Sequence, residues 1–196
     1  MGPSVLTLPA RNPVTVADTY ANLEYLTDGR GRVIMAVGLG TDPRLCEATG
    51  IAAEHRADRL REAVTILRKL WTEDGVNYDG KYYQLEDVTV TPKPSGGPLD
   101  IWIGGNSEAA MKRVAQYGDG WFPAFLRPEV FADKLERLME YCEKAGRVVE
   151  RDEAGIIIPT YVDSDRNRAQ DVREQYLERR ELDIPTDIFE RCSAFG

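Results

Sequence analysis

The sequence predicts an α/β fold in which a parallel β-sheet, its strands buried on both faces, is covered by helices. Three observations carry this. Short apolar runs alternate with longer stretches of helical period along the chain. Runs such as Val33-Ile34-Met35-Ala36-Val37 and Gly155-Ile156-Ile157-Ile158 do not alternate polar with apolar, which is how strands buried on both faces read. The 196 residues, 42% of them hydrophobic, supply material for a core of ordinary domain size.

Taken in order, Val5-Leu6-Thr7-Leu8 reads as the first strand, with a helical stretch after Pro13 over residues 14–26. Asp28-Gly29-Arg30-Gly31 is a turn, and residues 33–37 are the second strand. Between residues 53 and 72, Leu60, Val64, Leu67, Leu70 and Trp71 recur with a 3.6-residue period, which predicts an amphipathic helix. Residues 74–97 break the rhythm. Tyr78-Asp79-Gly80-Lys81 is a turn signal between aromatic strands, so a hairpin insertion is expected, followed by a stiff Pro- and Gly-rich loop. Strands follow at residues 99–103, 120–124 and 155–162, with helices at 107–117, from about 128, and over 163–182. Residues 183–196 read as short helix and loop. The pattern fits either a closed parallel barrel, which needs eight strands, or an open flavodoxin- or Rossmann-like sheet. Periodicity does not separate the two.

Composition excludes several classes. The net charge is −8, with 25 Lys and Arg against 33 Asp and Glu, which argues against a nucleic-acid partner. No apolar stretch approaches membrane-spanning length, and the first residues lack the pattern of a signal peptide. Cys46, Cys142 and Cys192 are widely spaced, which disfavours zinc or a disulfide framework and suits reduced thiols in the cytoplasm. No metal site is expected.

Gly104-Gly105-Asn106-Ser107 lies between a strand end and a helix start. Its glycines allow close backbone approach, and Asn106 or Ser107 can cap a helix whose free N–H groups attract an anion. A plain capped βα turn needs the same residues. Val37-Gly38-Leu39-Gly40-Thr41-Asp42-Pro43 begins like a dinucleotide fingerprint, but Pro43 stands where the third glycine belongs, so an NAD site is not expected. His55 has no partner at metal-ligand spacing and reads as a solvated or packing histidine. The run around it, Glu54 to Glu62, reads as a charged helix face. Trp121 and Phe122 read as core rather than as a cofactor platform.

Taken in order, Ser4-Val5-Leu6-Thr7-Leu8-Pro9, Arg11-Asn12-Pro13-Val14, Leu26-Thr27-Asp28-Gly29-Arg30 and Val37-Gly38-Leu39-Gly40 resemble the luciferase-like monooxygenase superfamily. So do Leu70-Trp71-Thr72-Glu73, Pro92-Lys93-Pro94, Ile101-Trp102-Ile103-Gly104-Gly105-Asn106-Ser107 and Tyr117-Gly118-Asp119-Gly120-Trp121. The resemblance implies an α/β, partial (β/α)8 TIM barrel, with strands 3 to 7 and their helices over residues 1–196 as one domain. The barrel's first two strands and last βα unit are expected to lie outside this sequence. Exposed edges near residues 4–8 and 156–161 then imply a homodimer or another partner.

For function, the resemblance implies an oxidoreductase using coenzyme F420, preferred here, or FMN, on a small-molecule substrate: hydride transfer with the first, monooxygenation with the second. Ser4 and Val5 match the family's non-prolyl cis peptide beneath the cofactor ring. Leu39 and Gly40 would lie against the cofactor, and Gly104, Gly105, Asn106 and Ser107 would meet its phosphate. Phe122, with Gly120 and Trp121, would lie at the neighbouring strand end, all on the C-terminal face where barrel active sites are built. The family's acid–base pair after its second strand has no counterpart in this sequence, so no catalytic residue is named. A truncated homologue or subunit that binds without turnover is the alternative. A flavodoxin-like FMN protein is disfavoured, because Pro9-Ala10-Arg11-Asn12-Pro13 makes a poor phosphate nest.

Overall fold

The computed structural model describes residues 5–28, 33–40, 42–158, 160–179 and 194–195. In chain order the elements are β1 (Leu6–Thr7), α1 (Pro13–Leu26), β2 (Met35–Gly38), α2 (Pro43–Ala48) and α3 (Arg56–Thr72). Then come β3 (Val76–Asp79), β4 (Gln84–Val88), β5 (Ile101–Gly104), α4 (Glu108–Tyr117), β6 (Gly120–Phe122) and α5 (Pro128–Lys144). The last are β7 (Thr160–Tyr161), α6 (Arg166–Arg179) and β8 (Ala194–Phe195).

The central sheet has the order β1-β2-β5-β6, and every pair in it is parallel. With the β3–β4 hairpin set aside, spatial order follows chain order, so each crossover advances the sheet in the same direction. A doubly wound sheet reverses at a switch point, whereas a barrel does not. The flavodoxin-like alternative therefore falls, and the fold is the α/β, partial barrel that the sequence implied.

Beyond β6 the ladder continues through residues 153–157. Trp121 N–H donates to the Glu153 carbonyl at 2.9 Å, Gly155 N–H to Trp121 at 3.0 Å, and Ile157 N–H to Pro123 at 3.0 Å. The expected strand over 155–162 is thus broken into bridges at Ala154 and Ile157 and a separate β7. One expectation is corrected at Ala194–Phe195, read as helix or loop. These residues form a strand parallel to β7, which pairs part of the edge expected at 156–161. Their signal in sequence is two residues long, too short for any periodicity.

Register divides the sheet into two faces. Met35, Val37, Ile101, Ile103 and Trp121 face the helices and are fully buried. The other face carries Ala36, Trp102 and Gly120 side by side, a small–large–small layer. A Cβ on Gly120 would stand 2.6 Å from the Trp102 ring, so glycine is what admits the indole. On the helical side, Asn12 caps α1 by accepting from Val14 N–H at 2.9 Å, ahead of Pro13 in the first turn. The Trp71 indole of α3 donates to the Ala17 carbonyl of α1 at 3.0 Å, tying the two helices together.

The hairpin β3–β4 forms as expected, but its turn falls at residues 80–83. The reason is Glu62 of α3, 8% exposed, whose carboxylate accepts from Lys81 N–H at 3.1 Å and Tyr82 N–H at 3.0 Å. A charged acceptor buried beside the tip selects where the chain reverses. Helix α2, absent from the sequence reading, is capped by Asp42, which accepts from Arg44 N–H at 2.9 Å, with Pro43 opening it.

Candidate functional site at the strand C-termini

The C-terminal ends of β1, β2, β5 and β6 lie in a row. The register sets Thr7 beside Gly38 and Gly104 beside Phe122. The segments leaving these ends are Pro9, Leu39 and Gly40, residues 104–107, and residues 122–125.

Leu39 and Gly40 turn sharply at φ +82° on Gly40, where an added Cβ would meet the Thr7 methyl at 2.8 Å. Only glycine combines that backbone with that approach. The loop is held from α3: the Arg56 guanidinium donates to the carbonyls of Leu39 at 3.4 Å and Gly40 at 3.2 Å, and also to Ala53 at 3.0 Å. Sequence reasoning passed over Arg56, because it sits in a charged run that reads as a solvated helix face.

At residues 104–107 each glycine has a packing reason. A Cβ on Gly104 would stand 2.7 Å from Val5, and Gly105 adopts φ +123° with Ala110 3.0 Å from its Cβ position. Ser107 caps α4, its hydroxyl accepting from Ala110 N–H at 3.2 Å. That leaves the N–H groups of Glu108 and Ala109 without helical acceptors, at the positive end of the helix dipole.

Asn106 is engaged differently from a phosphate ligand. Its Nδ2 donates to the Ala124 carbonyl at 2.7 Å, and its Oδ1 accepts from Ala124 N–H at 3.0 Å. The amide is therefore a two-point brace to the end of β6. The Trp121 indole donates to the Gly105 carbonyl at 2.9 Å, and Lys134 of α5 donates to the Asn106 carbonyl at 3.0 Å. Lys134, missed in the sequence, brings a positive charge to the turn. Glu108, in the first turn of α4, accepts from the Tyr141 hydroxyl and pairs with Arg137 at 2.7 Å. The Tyr141 hydrogen bond, with Arg137 adding to it, holds the Glu108 carboxyl below the usual carboxylate range.

The remaining expected site residues separate. Val5 fills a notch over Gly38 and Gly104, whose Cβ positions lie 2.8 and 2.7 Å from its methyls, so it underlies the site on the inner sheet face. Ser4, and with it the Ser4–Val5 peptide, lies outside the described residues. Phe122 meets Trp102 edge-on at 6.0 Å between centroids and covers Gly155. Trp121 is fully buried on the opposite face and stacks on Phe131 at 5.3 Å, so it packs the core instead of facing a ligand. His55 lies half-buried, 5.5 Å from the Tyr82 ring. Among the described residues no group of His, Cys, Asp and Glu is arranged to hold a metal ion.

The opposite, N-terminal end of the strands carries a structural clasp. Asp119 accepts from Arg68 at 2.8 Å and from Ile101 N–H at 2.9 Å, and Arg147 stands 3.5 Å away. Nearby, α3 and α4 border an outward-facing cavity of about 280 Å³, lined by Val64, Arg68, Lys69, Pro98 and Tyr117 among others. Burial pushes the Tyr117 hydroxyl up to about 12. None of the strand-end loops reaches this cavity.

The sequence profile of luciferase-like monooxygenases matches residues 1–189. An F420-dependent glucose-6-phosphate dehydrogenase of Amycolatopsis mediterranei is 33% identical over 175 residues, 86% of this chain and 52% of that protein. The enzyme of the same description from Mycobacterium avium is 37% identical over 143 residues, 69% of this chain and 41% of that protein. The chain spans about half the length of the relatives it matches. Among solved structures, an F420-dependent secondary alcohol dehydrogenase in complex with an F420-acetone adduct superposes with TM-score 0.74 at 21% identity. That match covers 99% of this chain and 64% of the other. The FMN-bound oxygenating constituent of 3,6-diketocamphane monooxygenase from Pseudomonas putida superposes with TM-score 0.77 at 17% identity, over 96% and 58% of the two chains. At these identities the superpositions speak for the fold alone.

Proposed function

Because the chain belongs to the luciferase-like monooxygenase family, we propose that it is part of an F420-dependent oxidoreductase acting on a small organic substrate. In this reading residues 1–196 are one barrel domain whose strand C-termini hold the cofactor. The observation that carries it is the convergence of two glycine-bearing strand ends, those of β2 and β5, with the start of α4. There the cramped Gly40 and Gly105 leave backbone, not side chain, facing the ligand side.

The residues present fit such a cofactor. The N–H groups of Glu108 and Ala109 suit an anionic phosphate, and Lys134 adds a positive charge beside them. Asn106 holds the two neighbouring loops at a fixed separation and so orients what lies between them. Leu39 and Gly40, kept in place by Arg56, provide an apolar flank that excludes water. When bound, the deazaflavin itself supplies the hydride-accepting ring. Preference for F420 over FMN rests on the relatives at 33–37% identity, which are described as F420-dependent.

The reading extends to a cytoplasmic homodimer. The free thiols of Cys46 and Cys142 support the compartment, and exposed Tyr25 and Leu26 at the end of α1 support an apolar contact between copies. Sedimentation of the purified chain at two concentrations tests the second point.

The central test is titration of the full chain with F420 and, separately, with FMN. Circular dichroism establishes that the sample is folded, and cofactor fluorescence reports binding. Saturable binding of F420, weaker for FMN, is the expected result. A folded sample that binds neither refutes the proposal. Binding without turnover of any supplied alcohol or sugar phosphate favours the non-catalytic alternative.

A further inference from the structure

We infer that Phe125, in the loop leaving β6, is an aromatic wall of the ligand chamber that lies against the conjugated ring of the bound cofactor. The inference rests on the cofactor reading above.

Three non-glycine residues among those described have positive φ: Asp28 at 55°, Asp87 at 51° and Phe125 at 54°. Aspartate visits the left-handed region readily, because its short polar side chain bonds locally. Phenylalanine has no such compensation, so Phe125 is held there by its surroundings. A glycine at this position would make the same turn without strain.

The hold is visible on every side. Ala124, the residue before it, is gripped at both its N–H and its carbonyl by the Asn106 amide, at 3.0 and 2.7 Å. Phe125 N–H donates to the Ile157 carbonyl at 3.2 Å, and Ile157 N–H returns to the Pro123 carbonyl at 3.0 Å. A turn specified by four hydrogen bonds places one side chain rigidly.

The placement is at the mouth of the site. Phe125 follows Phe122 by three residues at the C-terminal end of β6, and its brace is the same Asn106 that sits in the 104–107 turn. Its ring is half-buried, yet it does not pack against the hydrophobic core, whereas the next residue, Leu126, does. The left-handed turn thus sends Leu126 to the core and leaves Phe125 outside it. Strained backbone that the fold over-determines is characteristic of ligand clamps. The chemical match is a flat, conjugated ring, for which an aromatic face offers stacking.

The test is titration of the full chain with F420 and with FMN, on wild type, Phe125→Gly and Phe125→Tyr, with melting curves for all three. For whichever cofactor the wild type binds, Phe125→Gly is expected to weaken binding about tenfold, while Phe125→Tyr stays within about twofold. The melting temperature of Phe125→Gly should equal or exceed that of wild type, because glycine relieves the turn. Unchanged affinity in Phe125→Gly overturns the inference. So does a loss shared by Phe125→Tyr, or one matched by a lower melting temperature, since either assigns the ring to packing. A wild type that binds neither cofactor is a different result: it refutes the proposed function, and this inference with it.

Discussion

Replacing Asp119 with alanine should destabilise the chain by about 4 kcal/mol, although Asp119 lies at the end of the strands remote from the cofactor loops. Its carboxylate accepts from Arg68 at 2.8 Å and from the backbone N–H of Ile101 at 2.9 Å. A hydrogen bond involving a charged group contributes roughly 1.5–3 kcal/mol, and a buried N–H left unpaired costs about 1–3 kcal/mol. Ile101 is fully buried, so its N–H has no route to water. The ion pair counts for less, because the Arg68 and Asp119 side chains are 36% and 23% exposed and solvent screens them. Asparagine keeps an acceptor for Ile101 and loses only the charge, so Asp119→Asn should cost about 2 kcal/mol. For a chain of this size these losses lower the melting temperature by about 10 °C and about 5 °C. Urea unfolding followed by tryptophan fluorescence measures both. An alanine variant within about 0.5 kcal/mol of wild type shows that the clasp contributes nothing beyond an ordinary surface position, and the reasoning fails.

Removing the Glu62 carboxylate as Glu62→Ala strips two backbone donors of their acceptor and should loosen the hairpin locally. Hydrogen exchange at Lys81 and Tyr82 should rise while Ile101 and Ile103 stay protected, and protection retained at the tip contradicts this. Gly120→Ala forces a methyl to within 2.6 Å of both the Trp102 ring and the Glu153 carbonyl, so it should destabilise by at least about 1–3 kcal/mol, measured by thermal unfolding. Glu153→Gln should stabilise at neutral pH. Burial pushes the Glu153 carboxyl up, with Asp100 and Asp152 adding to it, so the folded chain resists the charged form more than the unfolded chain does. That penalty is full above the raised value and vanishes as pH falls through it to below the ordinary carboxylate range. The stability gap between variant and wild type should therefore close on acidification, and a gap that widens toward acid refutes the assignment.

The parts of the fold legible in the sequence were those whose signal is local. The 3.6-residue spacing of Leu60, Val64, Leu67 and Trp71 is a property of one segment, and α3 formed where it pointed. The run that became β2 showed no alternation because all four of its residues are buried. Helix α2 escaped notice because six residues carry too little period, though Asp42-Pro43 held its start signal. The site divides in the same way. Gly40 and Gly105 were readable as places where backbone must bend or approach closely. The engagement of Asn106 with Ala124, 18 residues away, depends on strand register and has no local trace. The same holds for Arg56, whose grip on the Leu39 and Gly40 carbonyls looks in sequence like one more charge on a solvated helix.

The three indoles of this chain occupy three distinct chemical settings. Trp71 donates to a helix carbonyl at Ala17, Trp102 lies on the other sheet face beside the Glu153 carboxyl, and Trp121 donates to Gly105 in the 104–107 turn. The molecule therefore carries a native spectroscopic probe wired to the loop of interest. In a nitrogen-15 spectrum the Trp121 indole signal should shift when an anion settles at that turn. The Trp71 signal, anchored between α1 and α3, serves as the internal reference that does not move.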